Sequence, residues 1–258
     1  MLGHAQPLRT LQKLRAHLRA HAVEPVAAVR GLMQQCRLLC LGEQHDFSGR
    51  FMAPELVTAA AAGGALWLFL EIYQEQQREV DLFWRTGRRQ DLPESAGGGD
   101  DEVMRFQQPY VEMLFAARSA GLKPICIDAE GADYDQRNAL MAQRVATCLS
   151  SNDRHGVVVA GHLHLSPRRL MGDEDSMVTR LMAPSMGLES SIITIGRAVP
   201  DAMPEFSVWA DVGSVARPCL LAVRESPFAG LPAIVGNDAM HADDFDHVLF
   251  YPAASVLE

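Results

Sequence analysis

Short apolar runs alternate with stretches of helical period along this chain. "RLLCLG" (37–42) reads as a buried strand, "FMAPELVTAAAAGG" (51–64) as a helix stopped by a glycine pair, and "ALWLFLEI" (65–72) as a second strand. A second helix is predicted over 74–84, and a polar, glycine-rich loop over 92–102. Helical periodicity returns over 102–120, before a third strand at 124–130. A strong helix follows over 133–149, with Asp133 or Asp135 as its cap. The run "GVVVAGHLHL" (156–165) contains a fourth strand; a helix around 173–186 leads to a fifth at 190–199. The last part is less regular, broken by Pro200, Pro204, Pro218, Pro227 and Pro232, with short strands at 219–223 and 247–251.

Strands that are apolar throughout, with helices between them, predict a mostly parallel β-sheet flanked by helices on both faces. The fold class is therefore α/β, a single domain with a C-terminal elaboration. An N-terminal helical segment is expected over 1–36 and the α/β domain over 37–258, with 85–102 as an insertion.

Composition narrows the function classes. A length of 258 residues with 48% apolar and 21% charged residues is ordinary for a globular protein that buries a sizeable core. The net charge of −9 argues against nucleic acid as a partner. The first thirty residues run the other way, with Arg9, Lys13, Arg15, Arg19 and Arg30 against Glu24, and read as a helix with a solvated basic face. Cys36, Cys40, Cys126, Cys148 and Cys219 show no CxxC pair and no metal-ligand spacing. No apolar leader or membrane-length run is visible, so no integral membrane segment is expected and the cytoplasm is the default compartment. A homodimer is compatible with this composition.

The chemistry collects where strands end. Strand one runs into Glu43, Gln44, His45 and Asp46; strand two ends in Glu71; strand three ends in Asp128, with Glu130 beyond it; strand four ends in His162 and His164. In an open parallel sheet these ends share one edge, where ligand sites form. Titratable groups converging there mark a candidate site. Two GxxH units recur, Gly42 to His45 and Gly161 to His164. Two imidazoles with Glu43 and Glu71 make a His/carboxylate set that suits zinc, manganese or cobalt, with His162 as a neighbour; equally, an imidazole held by a carboxylate activates water without a metal. If strand four continues through the motif, alternation turns one of His162 and His164 inward and the other outward. Asp128 is divided between a supporting role and a helix cap, and Asp46 reads as structural. Arg137, among polar residues on its helix, reads on chemistry alone as a solvated charge. "HADDFDH" (241–247) reads as a solvated acidic turn.

Those same residues carry a resemblance. "LLCLGEQHDFSGR", the glutamate of "LFLEIY", the arginine of "DQRNALMAQRV" and the "VVVAGHLHL" strand resemble the Tiki / TraB / ChaN-like / erythromycin-esterase-like superfamily, over about residues 37–165. The chain is most similar to its haem-binding-uptake, ChaN-like branch. The resemblance implies a site of Glu43, His45, Glu71, Arg137 and His164. It implies hydrolysis of an ester or amide bond in a small molecule or peptide, metal-assisted or metal-free. The alternative it implies is a haem- or metal-binding protein without catalysis, for which Tyr73, Tyr110, Tyr134 and Tyr251 are the available tyrosines.

Overall fold

The computed structural model describes residues 5–43, 52–93, 108–150, 155–167, 174–188, 191–198, 217–231 and 240–250. His45, with Gln44 and Asp46, lies outside the described residues, as do Tyr251, Pro200, Pro204, Pro232 and most of the 92–102 loop. The chain divides into two compact units, Val29–Thr194 and a second made of Met1–Ala28 with Ile195–Glu258.

The larger unit is built on four parallel strands. These are β1 (Leu38–Glu43), β2 (Trp67–Tyr73), β3 (Lys123–Asp128) and β4 (Gly156–Gly161), in spatial order β3-β2-β4-β1. β1 and β4 are buried along their whole length, which is why their sequences show no polar alternation. Around them run α2 (Pro25–Met33), α3 (Ala53–Ala62), α4 (Gln77–Thr86), α5 (Gln108–Ser119) and α6 (Tyr134–Cys148), then a single-turn α7 (His162–Leu165) and the short α8 (Met177–Leu181). The chain steps from β1 to β2 to β3 in one direction and back from β3 to β4. Right-handed crossovers thus assign α3 and α5 to one face and α6 to the other. The packing agrees, since α3 lies against α5 and α6 against α8.

Local chemistry sets the ends of these elements. Asp133, rather than Asp135, caps α6, its carboxylate accepting from the Gln136 N–H at 2.8 Å. Gly87 closes α4 in a left-handed conformation that a side chain would disfavour. The expected helix over 173–186 is shorter in the structure. Ser176 caps α8 by accepting from Thr179 N–H, and a 3-10 turn, Pro184–Met186, replaces its second half because proline cannot continue a helix.

The smaller unit holds α1 (Ala5–His21), and the strands β6 (Cys219–Ala222) and β7 (His247–Phe250). β5 (Ile192–Arg197) runs parallel to β7, and β6 antiparallel to it. In α1, Leu14 and Leu18 are buried while Lys13 and Arg19 are exposed, which is the solvated basic face that the sequence predicts. The acidic turn at 241–247 departs from its expected exposure. Asp244 is buried, its carboxylate accepting from His241 N–H in a capping box, and Asp243 accepts from Gly230 N–H. These carboxylates serve backbone donors.

None of the five cysteines forms a disulfide. Burial pushes the Cys126 thiol up to about 12 and the Cys219 thiol up to about 11, so both remain protonated at neutral pH. No helix among the described residues is long and apolar enough to cross a membrane.

Gly156, at the start of β4, sits under the Phe69 ring: a Cβ there would lie 2.5 Å from Phe69 Cε2. Because Phe69 is fully buried, its ring has nowhere to move. Gly156→Ala should lower stability by about 1–3 kcal/mol, measured by urea denaturation. An unchanged midpoint would show that the ring yields.

Candidate functional site

Three of the four parallel strands deliver a carboxylate to the same edge, and the fourth, β4, ends there in a glycine that leads into two histidines. Glu43 is the last residue of β1, Asp128 the last of β3, Gly161 the last of β4, and Glu71 stands near the end of β2. Glu43, Glu71 and Asp128 are each buried, as are His162 and His164. So many buried charges need internal partners, and the partners are present.

Glu71 owes its aim to an irregularity. β2 and β3 pair in register from Trp67–Lys123 to Leu70–Cys126, and the next pair is Tyr73–Asp128. β2 therefore spends one more residue than β3 over that interval, a bulge that takes in Glu71 and Ile72. Glu71 Oε2 accepts from the Gly161 N–H at 2.7 Å, and Oε1 faces both Arg137 Nη2 and His164 Nε2 at 3.1 Å.

Arg137 joins the second carboxylate. Its Nε donates to Asp128 Oδ1 at 2.8 Å and its Nη2 to Asp128 Oδ2 at 2.7 Å, a bidentate fork. Asp128 Oδ1 also accepts from Ala129 N–H. The Asp128 hydrogen bonds, with the charges of Asp128 and Glu71, hold the guanidinium pKa above its ordinary value despite partial burial. The reading of Arg137 as a solvated charge is thereby corrected. Its helix neighbours are polar, but its own side chain reaches the sheet edge and is only 26% exposed.

The second correction concerns β4. The strand ends at Gly161, and His162 to Leu165 form the single turn α7, so no strand alternation separates the two histidines; both are buried. α7 packs against β1 and β4, and Gly161 pairs in register with Glu43. His164 stacks on Tyr134, with ring centroids 5.3 Å apart, and the Tyr134 hydroxyl donates to Leu163 O at 2.8 Å. Burial raises the Tyr134 pKa, so the phenol stays neutral. His164 Nδ1 lies 2.8 Å from Asn138 Oδ1.

Asn138 is the residue that sequence reasoning missed. It is fully buried on α6 in a stripe with Met141, Ala142 and Val145, the i, i+3, i+4, i+7 spacing of a core face. An amide in an apolar stripe was the available signal. Tyr134, one turn earlier, was legible only as one tyrosine among four.

The structure thus brings together Glu71, Asp128, Arg137 and His164, with Glu43 and His162 on the adjoining strand end and turn. Both ring nitrogens of His164 and both oxygens of Glu71 already face protein partners. Among the described residues, no group of three or more His, Cys, Asp or Glu side chains is placed to hold a metal ion. The expected metal set also includes His45, which lies outside the described residues; of its other members, Glu71 and His164 face each other at 3.1 Å.

No family model matches this chain and no curated protein matches it. Its likeness is to solved structures. One, named a succinoglycan biosynthesis protein, is 10% identical with a TM-score of 0.66, over 97% of this chain and 98% of that one. A Bacillus cereus protein is 11% identical with a TM-score of 0.59, over 94% and 97%. Both show a shared fold. The effector domain RRSP, from a Vibrio vulnificus MARTX toxin, is 18% identical at a TM-score of 0.43. This chain covers 73% of its own length and 38% of that toxin chain.

The carboxylates depend on Arg137. Arg137→Met would leave two buried acids side by side, and should lower stability by about 3–5 kcal/mol. Adding Asp128→Asn should recover part of that loss, so the paired variant should be less destabilised than the two single losses together. Strict additivity in urea melts would mean that the two side chains are not energetically coupled.

Proposed function

We propose that this chain is a hydrolase of ester or amide bonds in a small molecule or peptide, of the ChaN-like / Tiki / erythromycin-esterase-like kind. One observation carries the reading. Glu71 links Arg137 and His164 at a strand-end edge, with Asp128 holding Arg137 from behind. Such an arrangement of fixed donors suits a carbonyl oxygen that gains charge during acyl transfer.

In the reaction, the oxygen of a water molecule bonds to the carbonyl carbon as its proton passes to His45, with Glu43 beside that motif. The charge that develops on the carbonyl oxygen is met by His164 and Arg137. Collapse restores the carbonyl and breaks the bond to the alcohol or amine, which leaves with the proton that His45 took from water. Glu71 acts through Arg137 and His164, which it orients, because its own oxygens are engaged. Asp128 keeps the guanidinium in place.

With a panel of chromogenic esters and peptide amides, the wild-type protein should turn over at least one class. His45→Ala should abolish that turnover. His164→Ala should lower kcat by about 10²–10³-fold, with the circular dichroism spectrum unchanged. Full activity in both variants, or no turnover of any ester or amide by the wild type, would sink the reading.

A further inference from the structure

The buried amide of Asn138 has only one orientation that satisfies its neighbours. Its Nδ2 donates to Tyr134 O at 2.9 Å, and its Oδ1 accepts from Met177 N–H at 2.8 Å. Tyr134 O can only accept and Met177 N–H can only donate, so exchanging the amide's O and N would break both bonds. The atom that faces His164 Nδ1 is therefore an acceptor. Nδ1 must carry a proton for that 2.8 Å contact to be a hydrogen bond.

We propose that Asn138 is a positioning residue that locks the imidazole of His164 with Nδ1 as donor, so that Nε2 is the nitrogen presented to Glu71 and to the reacting group. Three elements converge on the lock. Tyr134 and Asn138 stand one turn apart on α6, the Tyr134 hydroxyl fixes α7 through Leu163 O, and α8 begins at Met177, whose N–H shares the amide oxygen. A consequence follows for the Nε2 contact with Glu71 Oε1. With Nδ1 already protonated, two acceptors would oppose each other there unless a second proton lies between them. Nδ1 is then committed to Asn138 and Nε2 to Glu71, so neither ring nitrogen is left to serve as a base toward water. The chemical role rests on the hydrolytic reading above; the tautomer itself does not.

The test is a long-range ¹⁵N–¹H correlation spectrum of the full chain labelled at its nine histidines, with the His164 ring assigned by its disappearance in His164→Gln. The wild-type ring should show a protonated Nδ1. Asn138→Ala should lose that signature, leaving Nε2 as the donor to Glu71. Asn138→Asp, which keeps an acceptor toward the ring, should retain it. Tyr134→Phe removes the hydroxyl anchor yet should also keep Nδ1 protonated, so loosening of α7 alone is not the cause. An unprotonated Nδ1 in the wild type would overturn the proposal, as would a signal unchanged in Asn138→Ala. The spectrum reads the ring whether or not any substrate is turned over, so failure of the lock and failure of the hydrolase reading are separate results.

Discussion

The fork between Arg137 and Asp128 is the contact on which the rest of this edge depends. Parallel strands β2 and β3 bring two carboxylates, Glu71 and Asp128, to neighbouring positions with almost no solvent exposure. Side by side without a cation they would repel, and each would lose its hydration. Arg137 answers both through its planar donors, at 2.7 Å to Asp128 and 3.1 Å to Glu71. A lysine could supply the charge but not the bidentate geometry. Once the guanidinium is fixed, so is the register of α6 over the sheet edge. Asn138, the next residue, then faces His164 while Tyr134, one turn earlier, stacks on it. A buried ionic group of this kind is close to break-even in stability against well-packed apolar residues. Stability therefore gives no reason to keep three charged groups here, and the orientation of Glu71 and His164 does.

Backbone irregularity supplies the remaining geometry. A regular β2 would continue its register with β3 and send consecutive side chains to opposite faces. The bulge at Glu71 and Ile72 breaks that sequence, and both residues are buried. The Glu71 carboxylate then reaches across to the Gly161 N–H, which α7 leaves at the tip of β4. One carboxylate thus ties β2 to the end of β4, to α6 through Arg137 and to α7 through His164.

The strand edge was legible in the sequence because burial on both faces writes itself as an uninterrupted apolar run, and because a charge that ends such a run must find a partner. That logic located Glu43, Glu71, Asp128 and the paired histidines. It erred at Arg137, where the polarity of adjacent helix residues says nothing about where a long side chain reaches. At His162 and His164 it left the continuation of the strand open: a one-turn helix and a strand end share the same short sequence, and only tertiary packing decides between them. Asn138 was written in the helical period, as a polar residue on an apolar face. The bulge was not written at all, since it arises from how β2 and β3 align rather than from either segment alone. His45 lies outside the described residues, and its role stays with the proposed reaction.

The engagement of Glu71 and His164 also divides labour across the edge. Close polar contacts claim both oxygens of Glu71 and both nitrogens of His164, so neither can accept a proton from water without giving up a partner that holds the cluster together. In the proposed hydrolysis, proton abstraction therefore falls to the end of β1, where Glu43 stands opposite Gly161 and the first GxxH unit continues the chain. In that proposal Arg137 on α6 and His164 on α7, aimed by the carboxylates at the ends of β2 and β3, meet the developing charge, and the base comes from beyond the end of β1. A site split this way would keep the groups that meet the oxyanion and the base on different elements, with the buried carboxylate–guanidinium fork setting how the first side is aimed.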